Sequence, residues 1–222
     1  MNPGFFLAIA GNIGVGKTEL TTRLANELGW VAYYEPVIQN PYLDPFYRDM
    51  PRWSFHLQIY FLGERFKAQV EIGRSSLPFI QDRTIYEDAE IFARTLHDQG
   101  SMTDVDYENY VALFHCMVDF LRKPDVILYL RAEPATLMER IARRGRESEK
   151  GIELGYIQRL NAAYDDWMVR ARSYTDVIEI DTDSVPLQGE TPAFRELVET
   201  LKHRYPRQTE LRLDGGEERY PR

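Results

Sequence analysis

The sequence contains a single cysteine, Cys116. No disulfide can form within the chain, and a reducing compartment, the cytoplasm, is expected. Cys116 itself is expected to be a small core residue. No apolar run approaches the length of a membrane span, so no membrane partner is expected. The stretch Phe5 to Ala10 is apolar, but no Lys or Arg precedes it and a glycine loop comes next, so it is expected to be a buried strand and not an export signal. Basic charge is also in short supply. Lys and Arg number 27 against 35 Asp and Glu, leaving a net charge of −8. A general nucleic-acid-binding face is therefore excluded, and any phosphate site must come from a local basic cluster. The D-x-x-G and N-K-x-D signatures of GTP-dependent switch proteins are missing. With no internal repeat and no linker, residues 1–205 are expected to form one domain. Residues 206–222 are expected to be a polar tail, loose or docked only by Leu211, Leu213 and Tyr220.

The stretch that stands out is Gly11-Asn12-Ile13-Gly14-Val15-Gly16-Lys17-Thr18, which fits G-x-x-x-x-G-K-[ST] at every fixed position. An apolar strand pattern precedes it, and Glu19 to Leu28 carries helical spacing after it. Strand, glycine loop and helix make a phosphate cradle, with backbone N–H groups and the helix dipole facing the anion. Lys17 is expected to reach the β- and γ-phosphates of a nucleoside triphosphate, and Thr18 a Mg²⁺ ion.

The rest of the chain alternates strand and helix patterns. Strands are expected over Trp30–Tyr34, Leu77–Gln81, Asp125–Arg131 and Val177–Ile180. Helices are expected over Trp53–Ile72 with Gly73 as its stop, from about Glu87 or Asp88 to Gln99, and over Asp104–Leu121. Three more are expected: one opening at Pro134 and broken at Gly151, then Leu154–Ala171 and Pro192–His203. Between Val37 and Pro51, three further prolines imply an irregular or briefly helical connection. The fold class is α/β, with a parallel sheet of five strands flanked by helices on both faces.

In such a sheet ligands bind beyond the carboxyl ends of the strands. Three ends carry chemistry: the glycine loop, Glu35 after the second strand, and Asp82-Arg83 after the third. Glu35 suits a general base facing the phosphates. Asp82 is the candidate carboxylate near the magnesium ion. Arg83 either orients Glu35 or holds the attacking nucleophile. The cluster Arg140, Arg143, Arg144 and Arg146 is dense for an acidic protein. Such like charges repel unless an anion is near, which points to a lid, over about 140–151, closing on transferring phosphates. On the Trp53 helix, Gln58 and Arg65 lie seven residues apart on one face. They form either a surface for a planar hydrogen-bonding ligand or a polar seam against a neighbouring helix.

The succession G-N-I-G-V-G-K-T, Y-E-P-V, R-W-S-F-H-L-Q-I-Y-F, D-R-T-I-Y-E-D and R-R-G-R-E-S-E-K-G resembles the deoxynucleoside kinase family, and within it the bacterial deoxyadenosine and deoxyguanosine kinases. The resemblance implies a P-loop kinase fold. It also implies transfer of the γ-phosphate of ATP, or another triphosphate, with Mg²⁺ to the 5′-hydroxyl of a deoxynucleoside, in nucleotide salvage. The family's base falls on Glu35, and its arginine holding base and 5′-hydroxyl on Arg83. The nucleobase-reading glutamine falls on Gln58, and the pair gripping the sugar 3′-hydroxyl on Tyr47 and Glu149. The lid arginines fall on Arg140, Arg144 and Arg146. Arg65 and Asp88 match a pair contacting the base edge in purine-accepting members, so a purine is expected. A homodimer, or a heterodimer with a related kinase, is implied as well. Asp82 and Thr84 depart from the family's Glu and Ser, which shortens the carboxylate's reach, and Phe61 is bulkier than a promiscuous pocket would carry. A nucleoside monophosphate kinase is the rival reading. The absence of any basic residue between Glu35 and Arg48 speaks against it, because the acceptor's own phosphate would need a grip.

Overall fold

The computed structural model describes residues 4–34 and 40–205. Glu35, the proline after it and the tail from residue 206 lie outside these.

Five strands form one parallel sheet: β1 (Phe6–Gly11), β2 (Val31–Tyr33), β3 (Phe79–Asp82), β4 (Val126–Arg131) and β5 (Asp176–Asp181), in the order β2-β3-β1-β4-β5. Every residue of β1 is buried, as a strand between two others with helices on both faces must be. The register pairs Ile9 with Asp82 across β1 and β3, and Gly11 with Leu130 across β1 and β4. The carboxyl ends of the three central strands therefore lie on one edge of the sheet, β1 and β4 ending nearly level and β3 ending beside Ile9, two residues before the end of β1.

The helices around the sheet are α1 (Lys17–Leu28), α2 (Leu43–Arg48), α3 (Met50–Arg74), α4 (Ile85–Glu87), α5 (Arg94–Asp98), α6 (Asp104–Val118), α7 (Pro134–Arg144), α8 (Leu154–Ala171) and α9 (Pro192–Arg204). A π-helical turn, Asp88–Ala93, joins α4 to α5, and a 3₁₀ turn, Glu147–Glu149, comes after α7. The buried side of α8 carries Ile157, Leu160, Tyr164, Trp167, Met168 and Ala171, a spacing of three and four residues that keeps one stripe against the core.

Several expected boundaries move for identifiable reasons. Helix α3 starts at Met50, because the Asp49 carboxylate accepts the Arg52 N–H as a cap, and it runs through Gly73 to Arg74. A glycine with α-helical neighbours only weakens a helix and does not stop it. Helix α7 ends at Gly145, not Gly151: Gly145 takes φ 68 and its N–H closes on Ile141 O. The helix after β3 begins early, at Ile85, where Thr84 caps it, and its middle is π-helical. Cys116 is a correction of another kind. It is exposed on α6, not a core residue, because the core side of that helix is taken by Tyr110 and Phe114.

The core position Leu160 is fully buried. Leu160→Ala should cost about 2–5 kcal/mol of stability by the loss of contacts and the cavity left. The exposed Glu196→Ala on α9 should stay within about 0.5 kcal/mol. Urea unfolding followed by circular dichroism measures both.

Candidate active site

A cavity of about 620 Å³ opens over the carboxyl end of the sheet. The glycine loop forms its floor from Ile13 to Thr18, and α3, α2, the residues after β3 and the lid region form its walls. The conformations of the loop explain its glycines. Gly16 takes φ 103 at the N-cap of α1, which is left-handed backbone. A Cβ on Gly11 would stand 2.5 Å from the Leu130 carbonyl oxygen, so β1 and β4 approach closely there only without a side chain.

Lys17 is buried, and its Nζ donates to the carbonyls of Gly11 and Asn12 at 2.8 and 2.9 Å. Thr18 Oγ1 donates to Asp82 Oδ2. The two residues expected at a metal are thus side by side, brought together by the pairing of β3 with β1. Among the described residues no cluster of three or more His, Cys, Asp or Glu could hold a metal by itself. A hydroxyl beside one carboxylate fits Mg²⁺ all the same, because Mg²⁺ takes few protein ligands and completes its shell with phosphate and water. Asn12 stands behind the cavity wall. Its amide donates to Ile157 O at 3.0 Å and Asn161 Oδ1 at 2.6 Å, which fastens the loop to α8.

Gln58, Phe61 and Asp88 line the opposite end of the cavity. Arg65 lies behind them. Its Nε meets Asp88 Oδ2 at 2.9 Å with both side chains 2% exposed, and its guanidinium packs over the Phe61 ring at 5.0 Å. Arg65 and Gln58 differ in their surroundings. The arginine pairs within the protein, while Gln58 is buried with its Oε1 unpartnered among the described residues. A buried carbonyl oxygen without a donor costs about 1–3 kcal/mol, which a ligand donor would recover. The π-helical turn begins at Asp88 itself, and such wide turns concentrate at functional sites.

The arginines of the expected lid have anions of the protein beside them. Arg144 donates through Nε and Nη2 to Glu149 at 3.1 and 2.6 Å, and Arg146 Nη1 lies 3.3 Å from the same carboxylate. Arg140 donates to Thr182 Oγ1 and Thr182 O at 2.8 and 3.0 Å and to Asp183 Oδ1 at 3.2 Å. The protein thus relieves the mutual repulsion of these groups with its own acids. Arg143 stands with them in the cavity wall. Glu149 lies in the same wall with Tyr47, whose helix α2 packs on the 3₁₀ turn.

Arg83 also lines the cavity, with its guanidinium 4.2 Å from the centre of the Phe92 ring. It is the one non-glycine residue among those described with positive φ, 65. Glu35, the candidate base, falls outside the described residues, directly after Tyr34, which lines the cavity. Sequence reasoning missed Tyr156 and Gln188, both in the cavity wall. It also missed Glu87, a fully buried carboxylate whose pKa burial raises against the pull of Arg83 and Lys17. The E-D pair in D-R-T-I-Y-E-D was the available signal for Glu87, since two adjacent acids in an otherwise apolar helix need a partner.

The deoxynucleoside kinase family profile matches residues 7–204. The deoxyadenosine/deoxycytidine kinase of Bacillus subtilis is 46% identical over 164 residues, 73% of this chain and 76% of that protein. The deoxyadenosine kinase of Dictyostelium discoideum is 42% identical over 178 residues, 80% of this chain and 72% of that protein. Among solved structures, the deoxyadenosine kinase of M. mycoides with bound dCTP superposes with a TM-score of 0.79 at 27% identity, covering 90% of this chain and 100% of that one. Fold, motif order and these likenesses agree: the chain belongs to the deoxynucleoside kinase family and is an enzyme that phosphorylates deoxyribonucleosides.

Proposed function

We propose that the acceptor is a purine deoxynucleoside, deoxyadenosine first, phosphorylated on its 5′-hydroxyl by ATP with Mg²⁺. The observation that carries this reading is the wall formed by Gln58 and the buried Arg65–Asp88 pair. A side-chain amide matches the adjacent donor and acceptor on the adenine edge with two hydrogen bonds. Asp88 adds an acceptor and Arg65 fixes its direction. The relatives at 46% and 42% identity are both named for deoxyadenosine. A second acceptor, deoxycytidine, is favoured by two specific likenesses: the Bacillus subtilis relative is named for it, and the M. mycoides structure holds dCTP. Cytosine presents a similar donor beside an acceptor.

In the proposed mechanism the deoxynucleoside lies with its base against Gln58 and its sugar 3′-hydroxyl between Tyr47 and Glu149. Glu35 accepts the 5′-hydroxyl proton as that oxygen attacks the γ-phosphorus in line. The bond to the β–γ bridging oxygen breaks and a nucleoside diphosphate leaves. Lys17 and the loop N–H groups stabilise the β- and γ-phosphates, and Arg83 holds the attacking hydroxyl beside its base. Arg140, Arg144 and Arg146 exchange Asp183 and Glu149 for phosphate oxygens. Thr18 and Asp82 would hold Mg²⁺, which neutralises charge between the β- and γ-phosphates when bound.

A homodimer fits one further surface. Val105, Leu113, Cys116 and Phe120 recur at helical spacing on the outer side of α6 and its exit, and Phe120 is 82% exposed. Such an apolar stripe on a surface helix is suited to a second copy of the chain. No helix among the described residues is long and apolar enough to cross a membrane, and the cytoplasm is the compartment we propose.

Four outcomes test these assignments. In a panel of the four deoxynucleosides and their monophosphates with Mg²⁺-ATP, deoxyadenosine should give the highest kcat/KM. Gln58→Leu should lower it by about 10- to 100-fold through the lost hydrogen bonds, and preference for thymidine or for any monophosphate would overturn the reading. Glu35→Gln should cut kcat by about 10²-fold or more while the KM for nucleoside holds, as steady-state assays would report. Leu113→Glu should shift sedimentation from dimer to monomer, whereas a wild-type monomer at working concentration refutes the interface.

A further inference from the structure

Glu87 is fully buried and forms no part of the cavity wall, yet its carboxylate is bound to the working parts on every side. Oε1 accepts the Gly11 N–H at 3.4 Å and the Tyr164 O–H at 2.8 Å. Oε2 accepts the Thr84 N–H at 2.9 Å, and Arg83 Nε stands 3.9 Å from Oε1. Gly11 is where β1 hands over to the phosphate loop, and Thr84 is the residue directly after Arg83. One side chain therefore spans the donor half and the acceptor half of the site.

Two physical facts argue against a filler role. A charged group taken wholly out of water costs several kcal/mol unless its partners compensate it. An apolar residue of similar size would fill the space at no such cost. The second fact is the backbone of Arg83. Left-handed φ at a non-glycine residue costs of order 1–3 kcal/mol and persists only where the surroundings over-determine it. Here the Arg83 N–H donates to Ile9 O at 3.1 Å on one side, and the Thr84 N–H closes on Glu87 on the other. Glu87 thus fixes the strained turn that aims Arg83 and, by the same oxygen that faces Arg83, the start of the loop that holds Lys17.

We propose that Glu87 is a positioning residue that locks Arg83 to the mouth of the phosphate loop, so that the acceptor hydroxyl and the transferring phosphate are held at one fixed separation. Tyr164 on α8 braces it from behind. The role is felt in the chemical step, since misplacement of reacting groups by about 1 Å can cost about 10²-fold in rate with little effect on binding. It rests on the functions proposed above for Arg83 and Lys17.

The test uses the full chain with its best deoxynucleoside and Mg²⁺-ATP, at a temperature where circular dichroism shows each variant folded. Glu87→Gln keeps the volume and removes the charge and one acceptor. It should lower kcat by about 10- to 100-fold with both KM values within about threefold. Tyr164→Phe, which removes only the brace, should lower kcat by a smaller factor. The double variant should fall no more than about twofold below Glu87→Gln, because Tyr164 acts through the same carboxylate. If Glu87→Gln does not fold, the KM-against-kcat split of Tyr164→Phe decides by itself. Near-normal kcat in the folded variants, or losses that multiply independently, overturns the proposal. Lys17→Ala and Arg83→Ala are the controls: if both are inactive while Glu87→Gln is normal, this inference alone fails, and if both are active the roles beneath it fail too.

Discussion

The site depends first on parallel pairing of β1 with its two neighbours. Hydrogen bonding in a parallel sheet fixes register residue by residue, and here it brings the carboxyl ends of β1, β3 and β4 to one edge, with Asp82 beside Ile9 and Leu130 beside Gly11. The chemistry sits in the residues just beyond the strand ends. The glycine loop leaves β1, Asp82 ends β3 and Arg83 follows it, and Thr182 and Asp183, which hold Arg140, come just after β5. A slip of one residue in β3 would turn Asp82 to the other face and separate it from Thr18. The close approach of Gly11 to Leu130 belongs to the same constraint, since the centre of the sheet admits no side chain there.

The second organising fact is that the basic groups of the site are matched in advance by the protein's own acceptors. Lys17 meets two carbonyls, Arg65 meets Asp88, Arg144 and Arg146 share Glu149, and Arg140 meets Asp183. An acidic chain can thus keep a concentrated cluster of arginines without a field strong enough to gather unrelated anions. The partners differ in strength. Arg65–Asp88 is buried on both sides, and removal of one member would cost about 3–5 kcal/mol. The lid pairs are partly solvated and worth far less. The wall around Arg65 and Asp88 is correspondingly rigid, and the pairs of Arg140, Arg144 and Arg146 are the looser ones.

Much of the fold and of the site is legible in the sequence because it rests on local signals. The phosphate loop, the strand-helix alternation and the span of α8 follow from spacing and from the glycines. The pairing of Thr18 with Asp82 follows from the rule that parallel strands present their ends together. The features that escape the sequence depend on contacts distant in the chain. Glu87 reaches Tyr164 and Gly11 across 77 and 76 residues, and nothing near it announces either partner. The family resemblance implies a sugar contact for Glu149, and its hold on Arg144 and Arg146 emerges only from the fold. Cys116 is misplaced by pattern alone because burial on an amphipathic helix is set by the elements that pack against it. The irregular turn after Asp88 is hidden for a related reason, since an apolar period cannot reveal one residue too many.

That wide turn has a consequence for how the protein can vary. An α-helix advances about 100° per residue, and the π-helical segment, by holding one residue more than an α-turn, takes up that rotation locally instead of passing it on to α5. Asp88 can look toward Arg65 while the residues beyond Ala93 keep their own orientation toward α6 and α8. Loss of one residue within the turn would restore a regular helix and leave its two flanks facing as they do, with the widened turn at Asp88 removed. The insertion is confined to the turn, and the side of Asp88 that faces Arg65 can change without repacking the part that joins α6 and α8.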